Sequence, residues 1–187
     1  MTLKRKLLLA SALPFAIAQV MVGPFGSLVL AQDRQEVAQE YRIKAEYLVN
    51  FVKYIEWPEN AKATILICVA GQNPFGTVLE GLIRNEQAGG KALTTDVILE
   101  PNPGCDVVFT PRTSNVNAYL RAAAGKPMLT IGETPRFVEQ GGMIGFLSEN
   151  DNVLFEINRA AVEKARLRIS SRLLQLARRV EPNPEER

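Results

Sequence analysis

The chain contains no histidine. That absence removes the nucleophile systems that rely on an imidazole base, and every zinc site built on imidazole. Cysteine is scarce: Cys68 and Cys105 are the only two, and no further ligands stand at metal-binding spacing around them. The phosphate-binding loop is missing as well. Gly71 and Gly76 have the spacing of its two glycines, but Thr77 and Val78 follow Gly76 where a lysine and a hydroxyl residue are required. No Gly-x-Gly-x-x-Gly follows a strand. There are no internal repeats, and beyond residue 31 no apolar run approaches the roughly 20 residues that span a bilayer. An excess of charge is lacking too. Three of the 22 basic residues and none of the 20 acidic ones precede residue 32, so residues 32–187 carry a net charge of −1. The isoelectric point near 8.6 therefore gives no ground for nucleic-acid binding.

What is present begins with a leader pattern. Lys4, Arg5 and Lys6 precede an apolar run from Leu7 to Val22, and Val29-Leu30-Ala31 supplies the small or modest residues of a cleavage site. This predicts a signal peptide over 1–31, removed after Ala31, rather than a membrane anchor, since Pro14, Gln19, Gly23, Pro24 and Gly26 interrupt the run. Residues 32–180 then form one domain of ordinary size, and the Pro- and Glu-rich 181–187 a loose tail.

Within that domain, Ile43, Tyr47, Phe51, Tyr54 and Ile55 recur at helical spacing, predicting a helix over 35–56 that Pro58 stops. Thr64 to Ala70 is almost wholly apolar and reads as a strand buried on both faces. A turn over 71–76 leads to a helix over 77–87 that ends at Gly89-Gly90. Strands follow at 93–99 and 105–110, then a helix over 116–124 with Ser114 or Asn115 as its cap. A strand at 128–131, a helical turn at 135–139 and a hairpin of 143–147 with 153–157 come next. A final helix is predicted over 159–179. Alternation of this kind predicts an α/β three-layer sandwich with a mostly parallel central sheet, flanking helices and a late β-hairpin.

The chemistry-bearing residues are few. In a flavodoxin-like strand order the first strand neighbours the third. Cys68, late in one, and Cys105, opening the other, are then placed to form a disulfide, contributing roughly 3–4 kcal/mol through the unfolded chain. Two buried thiols are the alternative. Glu149 and Asp151 share a hairpin tip and read as solvated turn residues, and Ser170-Ser171 has no base nearby. Lys164, Arg166, Arg168, Arg172, Arg178 and Arg179 read as the solvated, dipole-favoured face of the last helix. Trp57, the only tryptophan, reads as helix-end packing or as an interface anchor. Phe75 reads as packing down in its turn. No catalytic constellation, metal set or cofactor motif emerges.

The segments taken in order resemble the YfiR-like family of exported bacterial regulators. The residues carrying the resemblance are Lys44 through Pro58, Ile67 through Gly71 with Asn73-Pro74-Phe75-Gly76, and Cys105 through Phe109. Met128 through Ile131, the Phe137 to Ile144 stretch with Gly141-Gly142, Phe155 through Asn158 and Leu167 through Leu174 complete it. Many members carry His where Asp106 stands, and a second cysteine pair found in some members near the later hairpin is missing here. The resemblance implies a periplasmic, non-enzymatic regulator that represses an inner-membrane diguanylate cyclase by binding its periplasmic domain, and so controls cyclic-di-GMP. It also implies an outer-membrane lipoprotein able to draw the regulator away, and a dependence on disulfide state. It leaves room for a homodimer, and for a different membrane partner such as a histidine kinase. Tyr54, Trp57 and Phe75 are the candidate partner contacts. A small-ligand sensor using the strand-end crevice of the sheet is the competing expectation.

Overall fold

The computed structural model describes residues 24–58, 62–150 and 152–181, with side chains from Arg34 onward. The expected leader, 1–31, lies outside them except for the backbone of its last turns, and Asp151 and residues 182–187 also lie outside. The chain divides into two units, 1–34 and 35–187, and the second holds the sheet.

Helix α1 (Pro24–Lys53) turns its residues from Lys44 to Val52 onto the sheet, with Ala45, Leu48, Phe51 and Val52 fully buried at helical spacing. It stops three residues earlier than its apolar pattern suggests. Trp57 Nε1 donates to the carbonyl of Val52 at 3.0 Å, closing the helix end, and Ile55–Glu56 leave as strand β1.

Strand β2 (Thr64–Ala70) sits at the centre. It is followed by α2 (Val78–Ile83), the two-residue β3 (Gln87–Ala88) and β4 (Lys91–Ile98). The expected helix over 77–87 is thus cut short, because Gly89 and Gly90, both with positive φ, turn β3 back antiparallel on the start of β4. β5 (Val107–Thr110), α3 (Val116–Ala123) and β6 (Leu129–Gly132) complete the alternating part. β7 (Ile144–Glu149) and β8 (Asn152–Asn158) form the expected hairpin, in register from Ile144↔Ile157 to Glu149↔Asn152.

The long helix expected over 159–179 is not one helix. It consists of α4 (Arg159–Lys164), β9 (Arg168–Ile169), α5 (Ser171–Leu176) and β10 (Arg179–Glu181). α4 ends where Arg166 takes a left-handed conformation (φ 60°), and the Ser170 side chain accepts from Leu173 N to start α5. β10 occupies the first residue assigned to the loose tail.

The eight-stranded sheet has the order β10-β8-β7-β6-β5-β2-β4-β3. From β4 to β7 all neighbours are parallel, in the flavodoxin-like arrangement in which β2 lies between β4 and β5. β1 and β9 make a separate antiparallel ribbon, Ile55↔Ile169 and Glu56↔Arg168. The α/β fold with a mostly parallel sheet is therefore present, but its two faces are unequal. Ile65, Ile67 and Val69 of β2 point to a large core shared with α1, α2, α4 and α5; Cys68 and Ala70 point to a small one closed by Tyr119 and Ala123 of α3.

Candidate interaction site

The carboxyl ends of the strands are where open α/β sheets bind ligands. Here they are filled by side chains. Phe75, from the loop after β2, is 3% exposed and packs between Phe109 (ring centroids 4.8 Å apart) and Tyr41 (5.8 Å). Ser114 Oγ donates to the carbonyl of Ala70 at 2.9 Å, tying the loop after β5 to the end of β2. Phe75 is therefore a core residue, not a surface contact: its turn, fixed by Asn73 Oδ1 accepting from Phe75 N at 2.9 Å, folds the ring inward.

Beside this plug lies a buried polar cluster that composition alone does not suggest. Lys44 on α1 is 1% exposed and Glu133, just past β6, is 3% exposed. Their Nζ and Oε2 atoms are 2.5 Å apart, and Glu40 lies 2.6 Å from the same ammonium. Glu133 also accepts from Tyr41 Oη at 2.7 Å and from Arg112 N at 3.0 Å. Burial pushes the Tyr41 hydroxyl well above its ordinary range, and the hydrogen bond to Glu133 adds to this. Burial also raises Glu40, but its hydrogen bonds from Lys44 and Ser148 outweigh that and hold it below the usual carboxylate range. The buried pair of Lys44 and Glu133 is mutually satisfied and clamps α1 to the sheet.

A pocket of about 160 Å³ opens between the loop and helix at 73–80 and the 95–97 segment of β4. Its size falls short of the roughly 300 Å³ at which ordinary small-ligand sites begin. Among the described residues no group of three or more His, Cys, Asp or Glu is placed to hold a metal ion.

Cys68 and Cys105 are joined by a disulfide with Cα atoms 5.9 Å apart, the pairing the strand order allows. It lies inside the small core, next to Ile98, Val108 and Met128. Asp106, following Cys105, accepts from Leu66 N at 2.9 Å and from Lys62 Nζ at 2.8 Å, so the loop carrying Cys105 is also fixed to β2.

Tyr54 and Trp57 lie together where α1 passes into β1, half-buried on the large core. Ser170 N donates to the carbonyl of Tyr54 at 3.0 Å, and the Arg172 guanidinium lies 6.0 Å from the centre of the Tyr54 ring. Ile169, Leu174 and Ala177 are likewise half-buried, and Leu176 is 61% exposed. Two of the three expected contact residues thus share one surface, and they are joined there by the ribbon and α5. Sequence periodicity gave no sign of that meeting, because it merged β9 and α5 into one helix.

Comparison with known proteins agrees with the sequence resemblance. A family model described as YfiR/HmsC-like matches residues 41–178. No curated relative matches. Among solved structures, a conserved domain protein from Vibrio cholerae O1 biovar El Tor is 13% identical with a TM-score of 0.46; the alignment covers 75% of this chain and 60% of that one.

Proposed function

We propose that this chain, which belongs to the YfiR/HmsC-like family, is an exported periplasmic regulator that represses an inner-membrane signalling protein by binding that protein's periplasmic domain. The observation that carries the proposal is the family match, which runs from Tyr41 in α1 to Arg178 and so takes in the sheet apart from its edge strand β10, the disulfide and the β1–β9 ribbon. The regulated protein is proposed to be a diguanylate cyclase, so that repression lowers cyclic-di-GMP, with an outer-membrane lipoprotein as the competitor that relieves it. Three physical features support a binding role. The strand-end crevice is filled, the buried charges are mutually satisfied, and half-exposed aromatic and apolar side chains gather around Tyr54 and Trp57, the residue types that anchor protein interfaces. The disulfide supports an oxidising compartment. No helix among the described residues is long and apolar enough to cross a membrane. Removal of a leader ending at Ala31 is part of the proposal.

The test is cellular cyclic-di-GMP in a strain lacking the gene, complemented with the full chain or with residues 32–187 alone. The expected result is a rise on deletion that only the full, exportable chain reverses. An unchanged level would remove the cyclase from the proposal.

A further inference from the structure

Charge is distributed unevenly along this chain. Residues 159–181 hold seven basic and two acidic side chains, whereas 35–158 hold ten basic and fifteen acidic. The net values are +5 and −5. Of the ten cations of the larger part, Arg42, Lys44, Lys53, Lys62 and Arg136 lie against a carboxylate. In the basic segment Arg159 and Arg179 are matched as well, to Glu163 and Glu156. Arg166, Arg168 and Arg172 are exposed and close together in sequence. Arg168 is 84% exposed in its side chain and reaches only Glu56, at 4.0 Å. Arg172 has the Tyr54 ring, and Arg166 makes no ion pair among the described residues.

These three arginines stand on a rigid base. Leu167 and Leu173 between them are buried, which directs residues 166, 168 and 172 outward. The segment is pinned by Ile55↔Ile169 and by Ser170 N on the Tyr54 carbonyl. Arg166 also occupies the left-handed position after α4, where Arg166 N donates to Glu163 O at 2.9 Å and Leu167 N to Val162 O at 3.1 Å. Glycine suits that position best, so the long cationic side chain of Arg166 stands there against local backbone preference.

We propose that Arg166, Arg168 and Arg172, together with Trp57 and with the Tyr54 ring next to Arg172, form the docking face for an acidic, carboxylate-bearing segment of a protein partner. The inference rests on the binding role proposed above and adds the chemistry of the partner. Guanidinium groups pair with carboxylates through two parallel hydrogen bonds, and arginine, tyrosine and tryptophan together dominate interface hot spots. An anionic membrane fits less well. Surface-lying membrane segments need a helix with a broad apolar face, whereas α5 has six residues, its Leu173 is already buried, and Leu176 is its one strongly exposed large apolar side chain.

The full exported chain is titrated with poly-L-glutamate, with emission of Trp57 as readout, and separately with vesicles of phosphatidylethanolamine and phosphatidylglycerol in a 3:1 ratio. The expected result is a saturable emission change with poly-L-glutamate that weakens about tenfold or more as salt screens it. It should vanish in R166E/R168E/R172E and persist in R84E/R121E, whose arginines are exposed elsewhere. R166G separates docking from folding. It should raise the Tm by about 2–4 °C by relieving the left-handed strain, yet weaken glutamate binding several-fold; a higher Tm with unchanged binding would overturn a docking role for Arg166. No response to poly-L-glutamate, or equal binding to the vesicles, would overturn the acidic-protein partner. In cells, a folded and exported R166E/R168E/R172E chain should fail to repress. If deletion raises cyclic-di-GMP but this variant represses normally, the docking face is wrong and the cyclase reading stands. If deletion changes nothing while glutamate binding depends on the arginines, the docking face stands and the cyclase reading fails.

Discussion

One face of the sheet carries α1, α2, α4 and α5 over a connected set of aromatic rings, from Tyr47, Phe51 and Phe155 through Phe146 to Phe109, Phe75 and Tyr41. The other carries α3 alone, over Cys68, Ile98, Cys105, Val108 and Met128. The first face holds the larger apolar cluster. The second holds the smaller one, and with it the disulfide. A covalent link that acts on the unfolded chain contributes according to the loop it closes, here a separation of 37 residues, whatever the burial around it.

The contrast can be broken from either side. On the thick face, Phe51→Ala should cost about 3–5 kcal/mol in urea denaturation, because the ring is fully buried among Tyr47, Phe146 and Phe155. Lys44→Ala should cost a similar amount, roughly 3–5 kcal/mol, since it leaves Glu133 buried without its cation; adding Glu133→Gln should recover part of the loss. On the thin face, Cys68→Ser with Cys105→Ser should cost about 3–4 kcal/mol, and reductant should reproduce this in the unsubstituted chain alone. Tyr119→Phe keeps the ring and removes the hydroxyl that donates to Leu99 O, and should cost about 1 kcal/mol.

The smallest expected effect is alkaline. Burial raises the hydroxyls of both Tyr41 and Tyr119 above their ordinary value, with the Glu133 hydrogen bond and the Glu100 charge adding to it respectively. A folded-state value above the unfolded one means stability that is complete below about pH 10 and falls as pH rises beyond it. Tyr41→Phe should flatten that fall in a series of urea midpoints between pH 9 and 11, and Tyr119→Phe should flatten it less.

The sheet was legible because strands buried on both faces leave short β-branched runs, as in Thr64–Ala70 and Val107–Thr110. The disulfide was legible from an even cysteine count and from strand order. The segment after Asn158 was misread because Leu167, Ile169, Leu173 and Leu174 satisfy a helical period as well as the broken path they follow. The usual marker of a left-handed helix end, glycine, is replaced by Arg166. The Lys44–Glu133 clamp could not be read, since its partners are 89 residues apart and each looks like an ordinary solvated charge on its own. For the candidate contact residues the limit was different. Aromatic type suggested Tyr54, Trp57 and Phe75 alike, and only packing separates the buried Phe75 from the other two.

The ribbon of β1 with β9 joins Ile55 to Ile169 across more than a hundred residues of chain. A polypeptide emerging amino end first must therefore leave Ile55, Tyr54 and Trp57 without their cover until almost all of it has been released. The parallel strands β2, β4, β5 and β6 can assemble before then, whereas the closure over Tyr54 and Trp57 waits for β9, and distant pairings carry a large entropic delay. Maturation of the fold and covering of Tyr54 and Trp57 thus come late together, and a chain interrupted before β9 would lack that cover as well as the edge strand β10.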